Sequence, residues 1–182
     1  MNKFEIYHEY LTLETQRLNI RKIEKSDASF IYKLRSDENN MKYVEMKPYA
    51  DLERAKSFIE HLISDIEKNE VFFWVIETKK TEIKVGTICL WSYSKEHNSA
   101  EIGYELLASY QKKGYANEAI QAVIDLAKNK LNLESIDAIT HEHHKASINL
   151  LLKNGFKALG YVQELIPTAE DGPEMKLFRK IL

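Results

Sequence analysis

From Leu11 to Lys22 polar and apolar positions alternate, in the run Leu13-Glu14-Thr15-Gln16-Arg17-Leu18-Asn19-Ile20-Arg21, which predicts one half-buried strand. Ser26 and Asp27 are placed to cap a following helix that carries Ile31 and Leu34 on one side. A second helix starts at Asp51, turns Glu53 and Glu60 outward, and gathers Ala55, Phe58, Ile59, Leu62, Ile63 and Ile66 into a stripe. Two apolar runs, Val71–Ile76 and Ile83–Trp91, flank a polar turn at Thr78–Glu82, and a second turn at Lys95–Ser99 leads to a strand at Glu101–Leu107. Ala116, Ala119, Ile120, Val123, Ile124, Ala127 and Leu131 then recur at helical spacing. Ser135–His141 reads as a strand. A helix from about Lys145 to Asn154 ends at Gly155 as a left-handed cap. The strands Ala158–Val162 and Met175–Ile181, with a polar loop at Thr168–Pro173 between them, complete the chain. The order is strand, two helices, three antiparallel strands, helix, strand, helix, two strands, which is a mixed α+β arrangement.

Between the strand at Glu101 and the helix at Ala116 lies Gln111-Lys112-Lys113-Gly114-Tyr115-Ala116. A strand, a tight loop and a helix N-terminus present unpaired backbone N–H groups at the positive end of a helix dipole, an arrangement suited to phosphate. Gly114 lets the backbone approach such a ligand, and Lys112 and Lys113 add positive charge. The run lacks the glycine spacing of either common nucleotide fingerprint. On these six residues alone it reads equally as a plain strand–turn–helix connection with a solvated lysine pair.

Composition narrows the class. A chain of 182 residues, 44% apolar and 30% charged, is read as one domain spanning residues 1–182 with a core that needs no disulfide. The net charge of −2, from 26 basic and 28 acidic residues, argues against a general nucleic-acid partner. Neither a signal pattern at Met1–Glu5 nor an apolar run of spanning length is present, so a cytoplasmic location and no membrane partner are expected. Cys89, the single cysteine, reads as a buried small hydrophobe, with a catalytic thiol as the alternative. His141, Glu142, His143 and His144 look like a metal cluster. The zinc-protease spacing begun at His141 would need its second histidine at Lys145, and no metal is expected.

The loop at Gly114 resembles the Gln/Arg-x-x-Gly-x-Gly/Ala signature of the GNAT superfamily of acyl-CoA-dependent N-acetyltransferases. Thr15-Gln16-Arg17-Leu18 and Asp27-Ala28 resemble the opening of its ribosomal-protein N-terminal acetyltransferase branch. Ser147, Lys153, Gly155 and Phe156 match that branch's Asn-x-x-Ser…Lys-x-Gly-Phe helix, with His144 in place of the leading Asn and Lys112 where a first loop Gly often stands. The resemblance covers roughly residues 10 to 180. It implies the GNAT fold, a twisted, mostly antiparallel sheet of about seven strands flanked by about four helices, in a monomer or homodimer.

The same resemblance implies acetyl-CoA as co-substrate, held by Leu106, Gln111, Lys112, Lys113, Gly114, Tyr115, Ala116 and His144. Direct attack of an amine on the thioester needs a base, an oxyanion donor and a donor near sulfur. Glu101 is the candidate base, directly or through water, with Glu105 on the same strand face as competitor. The N–H near Leu106 is the oxyanion candidate. Because Leu150 and Leu151 occupy the region where much of the superfamily has a Tyr, Ser147 is the candidate donor to sulfur. The acceptor groove is expected from the two N-terminal helices, Phe73, Trp74, Trp91 and the loop near Thr168. A protein or peptide N-terminal α-amine is the favoured acceptor. A small amine such as a polyamine or antibiotic, or a non-catalytic acyl-CoA-binding role, stands as the alternative.

Overall fold

A computed structural model describes residues 12–44, 46–166 and 169–182; the Met1–Glu5 pattern, Leu11 and Thr168 lie outside these. The predicted opening strand is in fact two. β1 (Thr12–Glu14) and β2 (Leu18–Lys22) pair antiparallel around a turn at Thr15. Thr15 N–H donates to the Leu18 carbonyl and Leu18 N–H donates to Thr15 Oγ1, each at 3.0 Å. A hydroxyl that closes a turn on its own backbone is invisible to polar–apolar alternation, which ran straight through it.

Ser26 and Asp27 do not cap α1 (Ala28–Ser36) through their side chains, contrary to expectation. Ser26 donates weakly to Glu24 at 3.3 Å. The fully buried Asp27 carboxylate instead takes Arg21 at 2.8 and 2.9 Å, Lys84 at 2.6 Å and the Glu24 N–H at 2.8 Å. Asp51 does cap its helix, accepting from Arg54 N–H at 2.9 Å at the head of α3 (Leu52–Glu67). A four-residue helix, α2 (Glu38–Met41), precedes it and was too short for periodicity to register.

β3 (Phe72–Thr78), β4 (Lys84–Ser94) and β5 (Ser99–Leu106) follow as an antiparallel meander, then α4 (Tyr115–Asn129), β6 (Ser135–His141), α5 (Lys145–Lys153), β7 (Lys157–Tyr161), a four-residue α6 (Val162–Leu165) and β8 (Met175–Ile181). The sheet order is β1-β2-β3-β4-β5-β6-β8-β7, and all neighbours are antiparallel except β5 and β6. Among the described residues there are thus eight strands, the eighth arising from the divided opening strand, and the rest follow the expected element order. None of the described helices is long and apolar enough to cross a membrane.

The continuous apolar run of β3 has a simple cause: it is covered on both faces. Phe72, Trp74 and Ile76 pack with Ile120, Val123 and Ala127 of α4 on one face. Phe73 and Val75 pack with Ile31, Leu34, Ile59 and Leu62 of α1 and α3 on the other. Trp74 is therefore a core residue with no exposed surface, and the expectation that it lines an acceptor groove is corrected. α5 ends as the sequence predicted. Gly155 has φ +82, its N–H donates to the Leu152 carbonyl at 3.0 Å, and the Phe156 N–H donates to the Leu151 carbonyl at 3.1 Å. That double closure buries Phe156 beside Leu151 and fixes the position of α5.

Candidate active site

β5 and β6 pair only through Ser99↔Ser135, Ala100↔Ile136 and Glu101↔Asp137. Beyond this β5 stays with β4 to Leu106 and β6 stays with β8 to His141, so the sheet opens into a wedge. The Leu107 N–H donates back to Val85 at 3.0 Å. By the alternation of an antiparallel ladder, the Leu106 N–H and C=O then point the other way, into the wedge. Gln111 Nε2 donates to that carbonyl at 3.1 Å, leaving the Leu106 N–H as the donor aimed into the gap. Gln111 thus braces the loop through its side chain.

A cavity of about 570 Å³ occupies the wedge and is lined from both faces of the sheet. Glu101, Glu105, Phe73 and Trp91 line it from the α1/α3 side; Tyr104, Ser147 and Leu151 line it from the α4/α5 side. Period-2 alternation along β5 produces this division, sending Glu101 and Glu105 one way and Tyr104 the other. Where β6 departs, both faces open to the same space.

The two carboxylates differ in their surroundings. Glu105 is fixed by Arg35 of α1 at 2.6 and 3.2 Å, and Arg35 is itself buried and bonded to the Tyr49 hydroxyl at 3.0 Å. Glu101 has no such cation among the described residues. Burial, with Asp171 and Asp137 nearby, pushes its carboxyl up to about 7, against a hydrogen bond from Trp91. Asp137 is in turn held by Arg179 at 2.6 and 2.7 Å. Glu101 is the carboxylate whose proton affinity lies near neutrality, the property a general base needs.

On the other face Ser147, in the first turn of α5 and buried, meets the Tyr104 hydroxyl at 2.8 Å. Burial pushes the Tyr104 phenol up to about 12, so it stays protonated at neutral pH. His144, immediately before α5, stacks on Tyr43 with ring centroids 4.5 Å apart, and its Nδ1 lies 3.5 Å from Thr140 Oγ1. Burial, then His141, lowers its proton affinity, so the ring is neutral and offers one donor and one acceptor.

The loop before α4 is clamped from the N-terminal turn. Gly114 has φ +84, a left-handed conformation, and a Cβ there would come within 3.1 Å of Arg17 Nη2. Arg17 donates to the Lys113 carbonyl at 3.0 Å, pairs through Nε with Glu118 at 2.6 Å and lies over the Tyr115 ring at 4.8 Å. Thr15 Oγ1 adds a bond to Glu118 at 2.5 Å. The first helical bond runs from Glu118 N–H to the Gly114 carbonyl at 3.1 Å, so the N–H groups of Tyr115, Ala116 and Asn117 have no intrahelical acceptor. Lys112 is exposed at φ +60, and the Lys113 ammonium rests over Tyr110 at 4.9 Å. The Thr15–Arg17 run and the Gly114 loop, about a hundred residues apart, are one structural unit.

Glu142, His143 and Glu174 have ligand atoms within 4.8 Å of one another. Glu142 already accepts from Tyr161 at 2.6 Å, and Glu174 pairs with His141 at 2.6 Å. Cys89 faces the cavity with its thiol pushed up to about 12 by burial, then by Glu105, which leaves it a poor nucleophile at neutral pH. Tyr104, Arg35 and Asp171 are site residues that the sequence reading missed. Tyr104 was readable as an inward strand residue, yet nothing in the pattern joins it to a serine 43 positions away.

The sequence model of the acetyltransferase (GNAT) domain family matches residues 17–157, and the chain belongs to that family. It is 32% identical over 152 residues to the uncharacterized N-acetyltransferase YoaA of Bacillus subtilis (strain 168), covering 84% of this chain and 86% of that protein. Among solved structures it resembles the spermidine N-acetyltransferase of Vibrio cholerae in complex with CoA and spermine, with TM-score 0.74 and 25% identity over 91% of this chain and 94% of that one. It also shares its fold with the ribosomal L7/L12 α-N-protein acetyltransferase RimL in complex with coenzyme A, with TM-score 0.81 and 15% identity over 94% and 98%. The chain is an N-acetyltransferase, which sets aside the non-catalytic reading.

Proposed function

We propose that this enzyme transfers an acetyl group from acetyl-CoA to a primary amine, with a protein or peptide N-terminal α-amine as the preferred acceptor. The observation that carries the proposal is the two-faced cavity. A near-neutral carboxylate, Glu101, and a buried hydroxyl, Ser147, lie on opposite faces of a split sheet yet line one space. The chain's residues fit an acyl-CoA. The free N–H groups of Tyr115 and Ala116 and the left-handed Gly114 suit the pyrophosphate, with Lys112 and Lys113 contributing charge, Gln111 bracing the loop and the wedge receiving the pantetheine arm. His144, beside the cavity, can donate one hydrogen bond to that arm.

Glu101 accepts, directly or through water, the proton lost by the attacking amine. The Leu106 N–H stabilises the carbonyl oxygen as it gains charge. Ser147 donates to the sulfur as the C–S bond breaks. Incubating the protein with acetyl-CoA and a panel of peptides and small amines, and following thiol release and product mass, tests the proposal.

A second acceptor class has its own support. Asp65, Glu70, Glu101, Glu105 and Asp171 line the cavity against one Arg35, which favours a polycation, and a similar structure is a spermidine N-acetyltransferase. The same panel ranks spermidine against free N-termini by kcat/KM.

A further inference from the structure

We infer that Tyr104 is a positioning residue for acetyl transfer: its phenol donates to Ser147 Oγ and so turns the Ser147 hydrogen toward the departing sulfur. This rests on the reading of Ser147 as the donor to the leaving group.

Two hydroxyls 2.8 Å apart share one hydrogen bond, and one proton of the pair remains free to donate elsewhere. The phenol is the stronger acid and the alcohol oxygen the better acceptor, so the shared bond runs from Tyr104 to Ser147. The free hydrogen is then on Ser147. A serine in a helix otherwise spends that hydrogen on a carbonyl three or four residues back. Among the described residues Ser147 makes no such bond to the carbonyls of His143 and His144, which accept from the Lys145 and Ile148 N–H groups at 2.9 and 3.1 Å, and its hydroxyl is bonded to Tyr104 instead. With its acceptor side held by Tyr104, the Ser147 hydroxyl has the cavity as its remaining direction. Polarisation along the chain of two hydroxyls strengthens the outer bond.

The position of Tyr104 is specific to this task. It stands past the last β5–β6 pair, where β5 has no neighbour on that side, and on the face opposite Glu101. It therefore reaches α5 through the wedge without touching the acceptor-side acids. During transfer the C–N bond forms and the C–S bond breaks, with its electron pair leaving on sulfur. The nitrogen proton goes to Glu101 or water. The hydroxyl pair holds the thiolate charge by hydrogen bonding, and the thiolate takes its proton from solvent. A tyrosine held near pKa 12 does not surrender a proton to a thiolate of about 8.5, so its part is to orient and polarise.

The test is a two-residue cycle of Tyr104→Phe, Ser147→Ala and the double variant, with kcat, KM for acetyl-CoA, coenzyme A affinity by calorimetry and Tm measured for each. Tyr104→Phe keeps the ring and its packing. It should lower kcat about fivefold while KM and coenzyme A affinity stay within about twofold. In the Ser147→Ala background the same change should have almost no effect on kcat, because the group it orients is gone. A structural role would instead lower kcat by the same factor in both backgrounds, along with Tm and coenzyme A affinity. That additivity, or a Tyr104→Phe protein with wild-type kcat, overturns the inference while leaving acetyl transfer intact. Wild-type protein that transfers to no amine would overturn the underlying reading and this inference together.

Discussion

Arg35 holds Glu105 in a two-pronged ion pair at 2.6 and 3.2 Å, and this separates two carboxylates that the strand places on one face. Glu101, two pleats away, has no cation partner among the described residues, and its carboxyl is pushed up to about 7. The variants should therefore fail differently. Glu101→Gln should lower kcat/KM at pH 8 on the order of a hundredfold, the lower end of a general base's contribution, and remove the part of the acidic limb near 7 that the amine itself does not supply. Glu105→Gln should leave that limb in place and cost about 3 kcal/mol of stability, because it strands a buried guanidinium. Urea unfolding together with pH–rate profiles separates the two. If the acidic limb vanished with Glu105 and survived without Glu101, the assignment would be reversed.

The same carboxyl makes a stability prediction. Its folded-state pKa is raised from 4.5 to about 7, so its contribution is intact below about 4.5 and is lost as pH climbs through 7. Glu101→Gln removes that loss. The variant should melt above wild type at pH 8 and match it near pH 4.5, a less active protein more stable than the active one.

Glu101 was legible in the sequence because strand alternation and the loop that follows place it, whereas its separation from Glu105 was not. Arg35 lies 70 residues earlier on a different helix, and no local pattern announces a pairing across that distance. The Gly114 loop was legible because its backbone demands a left-handed residue. Its clamp was not, since Arg17 reads as an ordinary polar position of a strand. Local rules of period and capping found most elements. They failed where a side chain satisfied something distant, as Asp27 does with Arg21 and Lys84 in place of a helix cap.

Asp27 yields a prediction of opposite sign to Glu101. Burial alone would raise its pKa, but Arg21, Lys84 and the Glu24 N–H hold it down at about 2. Its stabilisation is present above the unfolded value near 3.8 and is lost as pH falls through 2. Asp27→Asn should cost about 2–4 kcal/mol at pH 7, shrinking as pH falls below 4. Equal stability of the two proteins at pH 7 would contradict the buried pairing.

Gly114→Asp should reduce coenzyme A affinity at least tenfold, about 1.4 kcal/mol, because it adds a Cβ at φ +84, beside Arg17, and a negative charge where we propose that the pyrophosphate binds. Calorimetry on the folded variant measures this. Undiminished binding would mean that the cofactor lies elsewhere.

Ser147→Ala should lower kcat roughly ten- to a hundredfold, more than it raises KM for acetyl-CoA, since the missing donor acts on charge that develops only in the transition state. Turnover at the wild-type rate would reduce Ser147 to a residue of the helix start.

The acceptor follows from proton affinities. Glu101 titrates near 7, and an α-amine has a reference pKa of about 7.7–8.0 against about 10.4 for a lysine-type amine, used here for polyamine ends too. Passing a proton from an α-ammonium to Glu101 therefore costs about one unit, roughly 1.4 kcal/mol, whereas the higher value costs more than three units, over 4 kcal/mol. The acids around the cavity bind a polycation well, but they raise its ammonium pKa and widen that gap. Affinity and turnover thus pull apart: spermidine should bind with the lower KM, and peptide N-termini should turn over faster near pH 7. With a peptide, kcat/KM should climb between about pH 6 and 8 as Glu101 and the α-amine both lose protons. Asp171→Asn should move the lower limb to more acidic pH, because after burial Asp171 is the largest influence raising Glu101. A spermidine kcat/KM far above that of every peptide at pH 7 would transfer the preference to small amines and leave the fold, cavity and cofactor assignments as they stand.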